Sequence, residues 1–160
     1  MEKVAKAVLR HLFQQYQKAP AILYSINGVT NQYKADPIAV SEYLMEKKWI
    51  REHWVHQNNL VTCRITVEGI EEVNPSFVHA KLQGIISVLA NGGGSKSLAE
   101  IYQTRIEDYA MALDIIYQLQ MLGLVTIISQ AGTLHIELTV LGRKYDENPS
   151  KPLLTLMAIA

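Results

Sequence analysis

The chain has 160 residues, its fifteen Lys and Arg residues balance fifteen Asp and Glu residues, and 49% of it is hydrophobic. That apolar content is enough for a packed core and too high for a disordered chain. Splitting the chain after Pro75 leaves nine basic against eight acidic residues, and then six against seven. Neither half therefore has the bulk positive charge of a protein that holds DNA mainly by its phosphates.

Cys63 is the single cysteine, so the chain can form neither an internal disulfide nor a thiolate zinc cluster. The first residues lack the apolar run of a secretory signal, and no stretch approaches the roughly 20 apolar residues of a membrane helix. These features predict a soluble cytoplasmic protein that does not enter a membrane.

The first predicted element is a helix over Lys3–Lys18, because apolar residues recur there at three- and four-residue spacing. Pro20 ends this helix, since the residue before a proline avoids helical angles. Ala21–Ile26 is apolar and is either a short strand or a buried linker. Asn27–Tyr33 is either a short helix or a turn.

Asp36-Pro37 is a helix start signal, with an N-cap acceptor followed by proline at the first helical position. The helix is predicted to run to about Lys48. Two strands should follow as a hairpin around the turn Gln57-Asn58-Asn59, because the returning strand alternates buried and polar positions from Val61 to Val67. Asn74-Pro75 is the predicted stop.

The second half repeats this order. Ser76–Asn91 has the stripe of a helix, and Asn91-Gly92 is suited to cap it in a left-handed conformation. Capping boxes are predicted at Ser97-Leu98-Ala99-Glu100 and at Thr104-Arg105-Ile106-Glu107, the second opening a longer helix to about Leu122. Gly123 ends that helix. The strands of a second hairpin are predicted over Leu124–Ile128 and Leu134–Val140, around the turn Gln130-Ala131-Gly132-Thr133.

The apolar positions of the two halves align at constant offsets. In the helix before each hairpin, Ile38, Val40, Ser41 and Leu44 match Leu113, Ile115, Ile116 and Leu119. In the returning strands, Val61, Cys63, Ile65 and Val67 match Leu134, Ile136, Leu138 and Val140. A repeat of about 75 residues is too long for a solenoid unit and predicts two tandem small domains. They should cover residues 1–75 and 76–149, followed by an apolar C-terminal tail at 150–160.

Helix, helix-turn-helix and a two-stranded wing, in that order, resemble the winged-helix family over residues 3–75 and 77–148. Leu44–Ile50 and Leu119–Val125 resemble that family's exit from its third helix. Ile65–Gly69 and Leu138–Gly142 resemble its leucine-threonine-x-x-glycine wing closer. The resemblance implies an α+β fold of two tandem winged-helix domains, each with three helices and a two-stranded β-hairpin wing. It also implies a bacterial transcription-regulator-like protein whose third helix enters the DNA major groove.

The side chains predicted on the outer face of the two third helices differ from that expectation. They are Ile38, Ala39, Glu42 and Tyr43 in the first half, and Leu113, Asp114, Tyr117 and Gln118 in the second. Base and phosphate contacts favour Arg, Lys, Asn or Gln, whereas these eight positions supply one Gln and two carboxylates. Their apolar and aromatic content favours a protein contact, either with an external partner or between the two domains.

A second set of residues could contact nucleic acid from the first helix and the first wing. These candidate contacts are Lys3, Lys6, Arg10, Lys47, Arg51 and Arg64. Neighbouring glutamates dilute their charge, so a solvated mixed surface is the alternative interpretation.

Three patterns that suggest other sites have simpler explanations. His53 and His56 lie three residues apart on a strand, which would point their rings to opposite faces and away from a shared metal. Gly92–Ser97 follows a helix and lacks the spacing of a phosphate loop. Cys63 aligns with Ile136 and is predicted to be a core residue, not a nucleophile.

No residue set predicts a reaction or a cofactor, so the sequence predicts a non-enzymatic binding protein. The first hypothesis is a winged-helix DNA-binding regulator that works as a homo-oligomer, most simply a dimer. The alternative is a protein–protein interaction module that uses winged-helix domains as a scaffold. The apolar tail around Leu153–Ala160 is expected to dock on a groove or sheet edge of the same chain or of a partner subunit.

Overall fold

The computed structural model of the chain describes residues 1–20, 22–105 and 109–147. Contacts divide the chain into two compact units, which we call unit 1 and unit 2. Unit 1 is Met1–Phe77, and unit 2 begins at Val78. The division lies two residues after the predicted domain boundary, and the predicted apolar tail lies outside the described residues.

Unit 1 is a mixed α+β unit with one small antiparallel sheet. Its elements are α1 (Glu2–Lys18), β1 (Tyr24–Ser25), α2 (Asn27–Gln32), α3 (Pro37–Glu46), β2 (Ile50–Val55), β3 (Val61–Ile65) and α4 (Val67–Val73). The strand order is β1-β3-β2, and a single 3-10 turn at Gln57–Asn59 joins β2 to β3.

Unit 2 repeats the same order of elements. They are α5 (Pro75–Asn91, which begins in unit 1), β4 (Ser95–Ser97), α6 (Leu98–Arg105), α7 (Tyr109–Met121), β5 (Val125–Gln130), β6 (Thr133–Leu138) and α8 (Val140–Glu147). Its strand order, β4-β6-β5, matches that of unit 1 position by position.

Local capping explains where several helices begin. The Asp36 carboxylate accepts a hydrogen bond from the backbone N–H of Ile38 at 3.1 Å, and Pro37 is the first residue of α3, as predicted. Before α6, the Glu100 carboxylate accepts from the Ser97 backbone at 3.2 Å, and the Ser97 hydroxyl accepts from the Glu100 backbone at 3.3 Å. The predicted capping box at Ser97 is therefore confirmed.

Two predicted boundaries of unit 2 are wrong. Thr104 lies within α6 and not at the start of a new helix, while Ile106 and Glu107 of the same predicted box lie outside the described residues. At the end of α5 the left-handed residues are Gly93 and Gly94, with φ of 85° and 92°, and not Asn91-Gly92. The Gly94 N–H bonds to the Leu89 carbonyl at 2.7 Å, so the chain completes one more turn before it reverses.

Each unit also holds two elements that the prediction of three helices and a two-stranded hairpin lacks. A third strand, β1 or β4, pairs with the returning strand of the hairpin, at Tyr24↔Cys63 in unit 1 and Lys96↔Ile136 in unit 2. For unit 1, a short strand was one of the two alternatives predicted for Ala21–Ile26, and β1 lies within that range. A fourth helix, α4 or α8, follows the hairpin directly.

The predicted wing closers are the starts of these fourth helices. Thr66 is the N-cap of α4: its hydroxyl accepts from the Gly69 N–H at 3.1 Å and donates to the Lys48 carbonyl at 2.7 Å. Thr139 repeats both bonds, with Gly142 at 3.1 Å and with the Gly123 carbonyl at 2.6 Å. The threonine thus ties the start of the last helix to the end of the third.

The glycine of each closer is required by a close approach of two backbone segments. A Cβ on Gly69 would collide with the Trp49 carbonyl, and a Cβ on Gly142 would collide with the Leu124 carbonyl. The threonine and glycine therefore form one joint, built identically in both units.

The inward faces predicted for α3 and α7 are confirmed, whereas the predicted match of Val140 to the buried Val67 is wrong, because Val140 begins α8 and is 73% exposed. Val40, Ser41 and Leu44 of α3 are fully buried. Their counterparts Ile115, Ile116 and Leu119 in α7 are buried to within about 1%. Cys63 and Ile136 both lie fully buried at the centre of the middle strand of their sheets. The helices that the structure describes include none long and apolar enough to cross a membrane.

Candidate macromolecule-binding surfaces

The turn from α3 into the β2–β3 hairpin carries two adjacent lysines. Lys47 and Lys48 are both exposed there, and Lys48 has a φ of 62°. The next N–H, that of Trp49, bonds back to the Leu44 carbonyl at 3.0 Å, which closes the helix end. The Lys47 ammonium lies 5.6 Å from the centre of the Tyr43 ring, within range of a cation–π contact.

Unit 2 forms the same corner without charge. The Leu124 N–H bonds to the Leu119 carbonyl at 3.0 Å, and Gly123 takes the left-handed position with φ of 76°. A left-handed conformation costs a residue with a Cβ roughly 1–2 kcal/mol, a cost that glycine avoids. Unit 1 thus holds a lysine at a position where the fold favours glycine.

A second lysine in the left-handed region lies at the other end of α3. Lys34 is exposed and has a φ of 53°. The candidate contacts predicted from the sequence did not include it, and its position two residues before the Asp36 cap was the available signal. Lys34 and Lys48 therefore place exposed positive charge before and after α3.

The predicted outer faces of α3 and α7 are only partly exposed. Glu42 and Tyr117 are exposed, whereas the other six predicted positions are half-buried: Ile38, Ala39, Tyr43, Leu113, Asp114 and Gln118. The Tyr43 ring packs edge-on against Trp49 at a centroid distance of 6.2 Å.

Four further exposed side chains on the same two helices were not predicted. These are Met45 and Glu46 in α3, and Gln120 and Met121 in α7. Their signal was helical spacing, since they follow Glu42 and Tyr117 by three and four residues. The outer face of α3 is thus acidic with one methionine, and that of α7 is mostly uncharged.

The hairpin of unit 1, β2–β3, is irregular and polar at its tip. The register shifts between Arg51 and Trp54, where Glu52 has a φ of 52°, so the strand carries a bulge. The Asn27 side chain holds the tip: its amide donates to the Asn59 carbonyl at 2.9 Å, and its oxygen accepts from the Val61 N–H at 2.9 Å. The tip is therefore fixed to the start of α2.

The hairpin of unit 2, β5–β6, is regular and carries neither Lys nor Arg. Its pairing continues without a shift from Val125↔Leu138 to Gln130↔Thr133. The turn residues Ala131 and Gly132 both have positive φ, at 50° and 78°, as a two-residue hairpin turn requires. From residue 124 to residue 142 the sequence contains neither Lys nor Arg.

The other basic residues predicted to contact nucleic acid lie in two places. Lys3 and Arg10 are exposed on α1, and together with Met1, Glu2 and Lys6 they line an open depression of about 540 Å³. The Lys6 ammonium also lies 4.0 Å from the Glu72 carboxylate.

Arg51 and Arg64 lie opposite each other on β2 and β3. The Arg64 guanidinium forms a 3.0 Å ion pair with Glu52, and its side chain is mostly buried. This pairing leaves the charge of Arg64 less accessible than that of Lys47 or Lys48.

The histidines and the cysteine considered as chemical sites have ordinary structural surroundings. The Nε2 of His53 is 2.8 Å from the Ser41 hydroxyl, while that of His56 is 2.9 Å from the Thr62 hydroxyl, so the two rings have different neighbours. Burial raises the pKa of the Cys63 thiol to about 12, which keeps it protonated and unreactive at neutral pH. Within the described ranges, no three His, Cys, Asp or Glu side chains are grouped to hold a metal ion.

Comparisons with known proteins give one likeness of structure. No protein-family model and no curated protein matches the chain. Among solved structures, the chain is similar to BpsR of Bordetella bronchiseptica, from a structure described as a mechanism for regulation of DNA binding by 6-hydroxynicotinic acid. The two are 17% identical, the match covers 58% of this chain and 69% of that chain, and the TM-score is 0.41. At that TM-score we assign neither a family nor a function from the likeness.

Proposed function

We propose that the chain is a non-enzymatic, transcription-regulator-like protein made of two tandem winged-helix domains, and that unit 1 binds DNA. In this assignment α3 and α7 are the third helices, and the hairpins β2–β3 and β5–β6 are the wings. The order of elements, repeated with the same strand order in both units, supports the winged-helix assignment.

The observation that carries the proposal is the placement of lysines around α3. Lys34 and Lys48 hold left-handed conformations that disfavour side chains, and both are exposed. Strain kept at a surface position is a reason to look for a functional role of its side chain. Lys47 and Lys48 form what we call the lysine corner, which can pair with phosphates, and Lys34 adds a further exposed cation at the other end of α3.

The wing of unit 1 supplies a second, uncharged contact. Its tip presents exposed His56, Gln57, Asn58 and Asn59, whose side chains can hydrogen-bond to phosphate oxygens or base edges. Because two hydrogen bonds of the Asn27 side chain fix this tip, the tip should lose little conformational freedom when it binds DNA. The exposed cations Lys3 and Arg10 of α1 add positive charge to the same unit.

The acidic face of α3 limits how the protein can bind. Glu42 and Glu46 are exposed along the helix that would enter a major groove, and carboxylates repel phosphate. We therefore propose that the lysine corner and wing contact the DNA backbone while α3 stays outside the groove. Binding should involve few phosphates and depend only moderately on salt.

The test is a titration of the full chain with duplex DNA at two salt concentrations. The variant combines Lys47→Gln with Lys48→Asn, since asparagine tolerates the left-handed position. Loss of two phosphate contacts should weaken binding at low salt and reduce the slope of log K against log salt by about 2. The matched control, Lys18→Gln with Lys144→Gln, removes two exposed charges elsewhere and should bind nearly as the parent does.

Two results would overturn the proposal. One is no binding by the parent chain even at low salt, where phosphate attraction is strongest. The other is an equal loss in the control variant, which would show that only total charge matters.

A protein partner is the second candidate function, and exposed apolar residues on the first wing favour it. Trp54 and Val55 on β2, and Leu60 just before β3, are all exposed. Such residues are typical of the buried centre of protein interfaces. If this candidate is correct, Trp54→Ser should abolish capture of a cellular protein that the parent chain retains, without changing the DNA titration.

A further inference from the structure

Four exposed apolar side chains lie on the last turns of α7 and at the start of α8. We call the set formed by Tyr117, Met121, Val140 and Leu141 the α7–α8 patch. Met121 is 86% exposed and Val140 is 73% exposed, which are high values for such side chains. A Leu141 methyl group lies against Gly123, so the two helix ends are adjacent in space.

Unit 1 places charges at the matching positions. Tyr117 and Met121 correspond to Glu42 and Glu46, and Leu141 corresponds to Glu68. All three glutamates are exposed. The same fold therefore accepts carboxylates here, and nothing in its packing requires the apolar side chains of unit 2.

The residue before Leu141 and before Glu68 is a valine in both units, and the two valines differ in burial. Val67 of α4 is 1% exposed, whereas its counterpart Val140 is 73% exposed. The position is therefore covered in unit 1 and open to solvent in unit 2. Apolar side chains gathered at one exposed place mark a surface that another segment covers.

We propose that the α7–α8 patch is the docking site of this chain's own apolar segment, Leu153–Ile159. Seven of the eight residues from Leu153 to Ala160 are apolar, with Thr155 the exception. Covering the patch removes apolar surface from water on both sides of the contact.

The length of the intervening chain permits this docking. The eight residues of α8 rise about 12 Å from the patch to Glu147, at 1.5 Å per residue. The five residues 148–152 reach up to about 17 Å when extended. Leu153 can therefore return to the start of α8. A tether this short gives the segment an effective concentration in the millimolar range, which favours it over a separate partner.

Disulfide trapping tests the proposal in the full chain. Met121→Cys is combined in turn with Leu154→Cys, Leu156→Cys and Met157→Cys, and each variant is oxidised at low protein concentration. Cys63 is fully buried and should not compete. At least one pair should form a disulfide within a single chain, seen by mass spectrometry as a loss of two hydrogens at monomer mass.

In the matched control, Met45→Cys is used instead of Met121→Cys. Met45 is exposed on α3 of unit 1, so the same tail cysteines should leave it unpaired. Disulfides that join two chains would overturn the proposal in favour of a second copy on the patch. Failure of all three pairs, or equal pairing with Met45→Cys, would also overturn it.

A second variant does not depend on cysteine geometry. Met121→Glu with Leu141→Glu gives unit 2 the charges that unit 1 carries, at exposed positions that should tolerate them. In the parent chain, amide exchange over 153–159 should be at least ~10-fold slower than in an unstructured peptide. The variant should lose that protection, and unprotected exchange in the parent would contradict docking. The result is independent of DNA binding, because the patch shares no residue with the lysine corner.

Discussion

Units 1 and 2 share one backbone frame and differ in what that frame presents to solvent. Both join the third helix to the last helix through a threonine that bonds a helix-end carbonyl, at 2.7 Å from Lys48 and 2.6 Å from Gly123. Around that joint, unit 1 exposes lysines and glutamates, whereas unit 2 exposes tyrosine, methionine and leucine. Because the frame is the same, the surface difference is not a requirement of folding. It fits the different roles that we propose for the two surfaces.

The largest expected effect comes from breaking the shared joint in either unit. Gly69→Ala and Gly142→Ala each place a Cβ against a backbone carbonyl that cannot move independently. Each should destabilise its unit by about 1–3 kcal/mol or more, as overpacking does. Chemical denaturation checks this, with tryptophan fluorescence reporting unit 1, where both Trp49 and Trp54 lie, and circular dichroism reporting the whole chain.

Two helical glycines serve as controls for this prediction. A Cβ on Gly28 or on Gly84 would meet no atom within 4 Å. Alanine at either position should leave stability unchanged or raise it by up to ~1 kcal/mol. If only one of Gly69→Ala and Gly142→Ala caused a large loss of stability, the two joints would not be built alike.

Exchanging Lys48 and Gly123, which occupy the same position after α3 and α7, tests the difference between the two units directly. Lys48→Gly should stabilise unit 1 by roughly 1 kcal/mol, because glycine adopts the positive φ without steric cost. Gly123→Lys should destabilise unit 2 by a similar amount. Lys47→Gly is the matched control: Lys47 has an ordinary φ of −76°, so this change should destabilise unit 1 slightly. Thermal unfolding of all three variants measures these signs, and stabilisation by Lys47→Gly would contradict the conformational explanation.

The smallest expected effect is the pH dependence of the acidic helix α4. Burial raises the pKa of the Glu71 carboxyl above its ordinary value of 4.5, and the neighbouring Glu72 and Glu68 charges add to the increase. A raised folded-state pKa means that the charged form is penalised in the native state, so this penalty is full above the raised pKa and disappears below about 4.5. Glu71→Gln should therefore be slightly more stable than the parent at pH 7, within about 0.5 kcal/mol.

Melting temperatures measured between pH 7 and pH 4 check this prediction. The advantage of Glu71→Gln should shrink on acidification, because the parent carboxyl becomes neutral as well. An advantage that grows as the pH falls would show that another interaction of Glu71 dominates.

Features that depend on short stretches of sequence were predictable. The Asp36-Pro37 start, the Ser97 capping box and the inward stripes of α3 and α7 each follow from spacing within one helix. The two extra elements of each unit were not predictable in this way. β1 has two residues and β4 has three, and each is a strand only because β3 or β6 lies beside it.

The threonine–glycine closers illustrate the same limit at the candidate site. From sequence, Val61 to Val67 alternates as one continuous strand, yet β3 ends at Ile65 and Thr66 caps a helix. The deciding contacts, to the Lys48 and Trp49 carbonyls, come from residues more than fifteen positions away. The exposure of Met121 and Val140 likewise depends on which elements cover them.

The sequence by itself determined that one small α+β pattern occurs twice and which side chains of its helices face inward, because periodicity and capping act over a few neighbouring residues. The tertiary structure alone decided where the lysine corner and the α7–α8 patch lie. Those surfaces arise where the end of a third helix meets the start of a last helix, and only folding brings the two together.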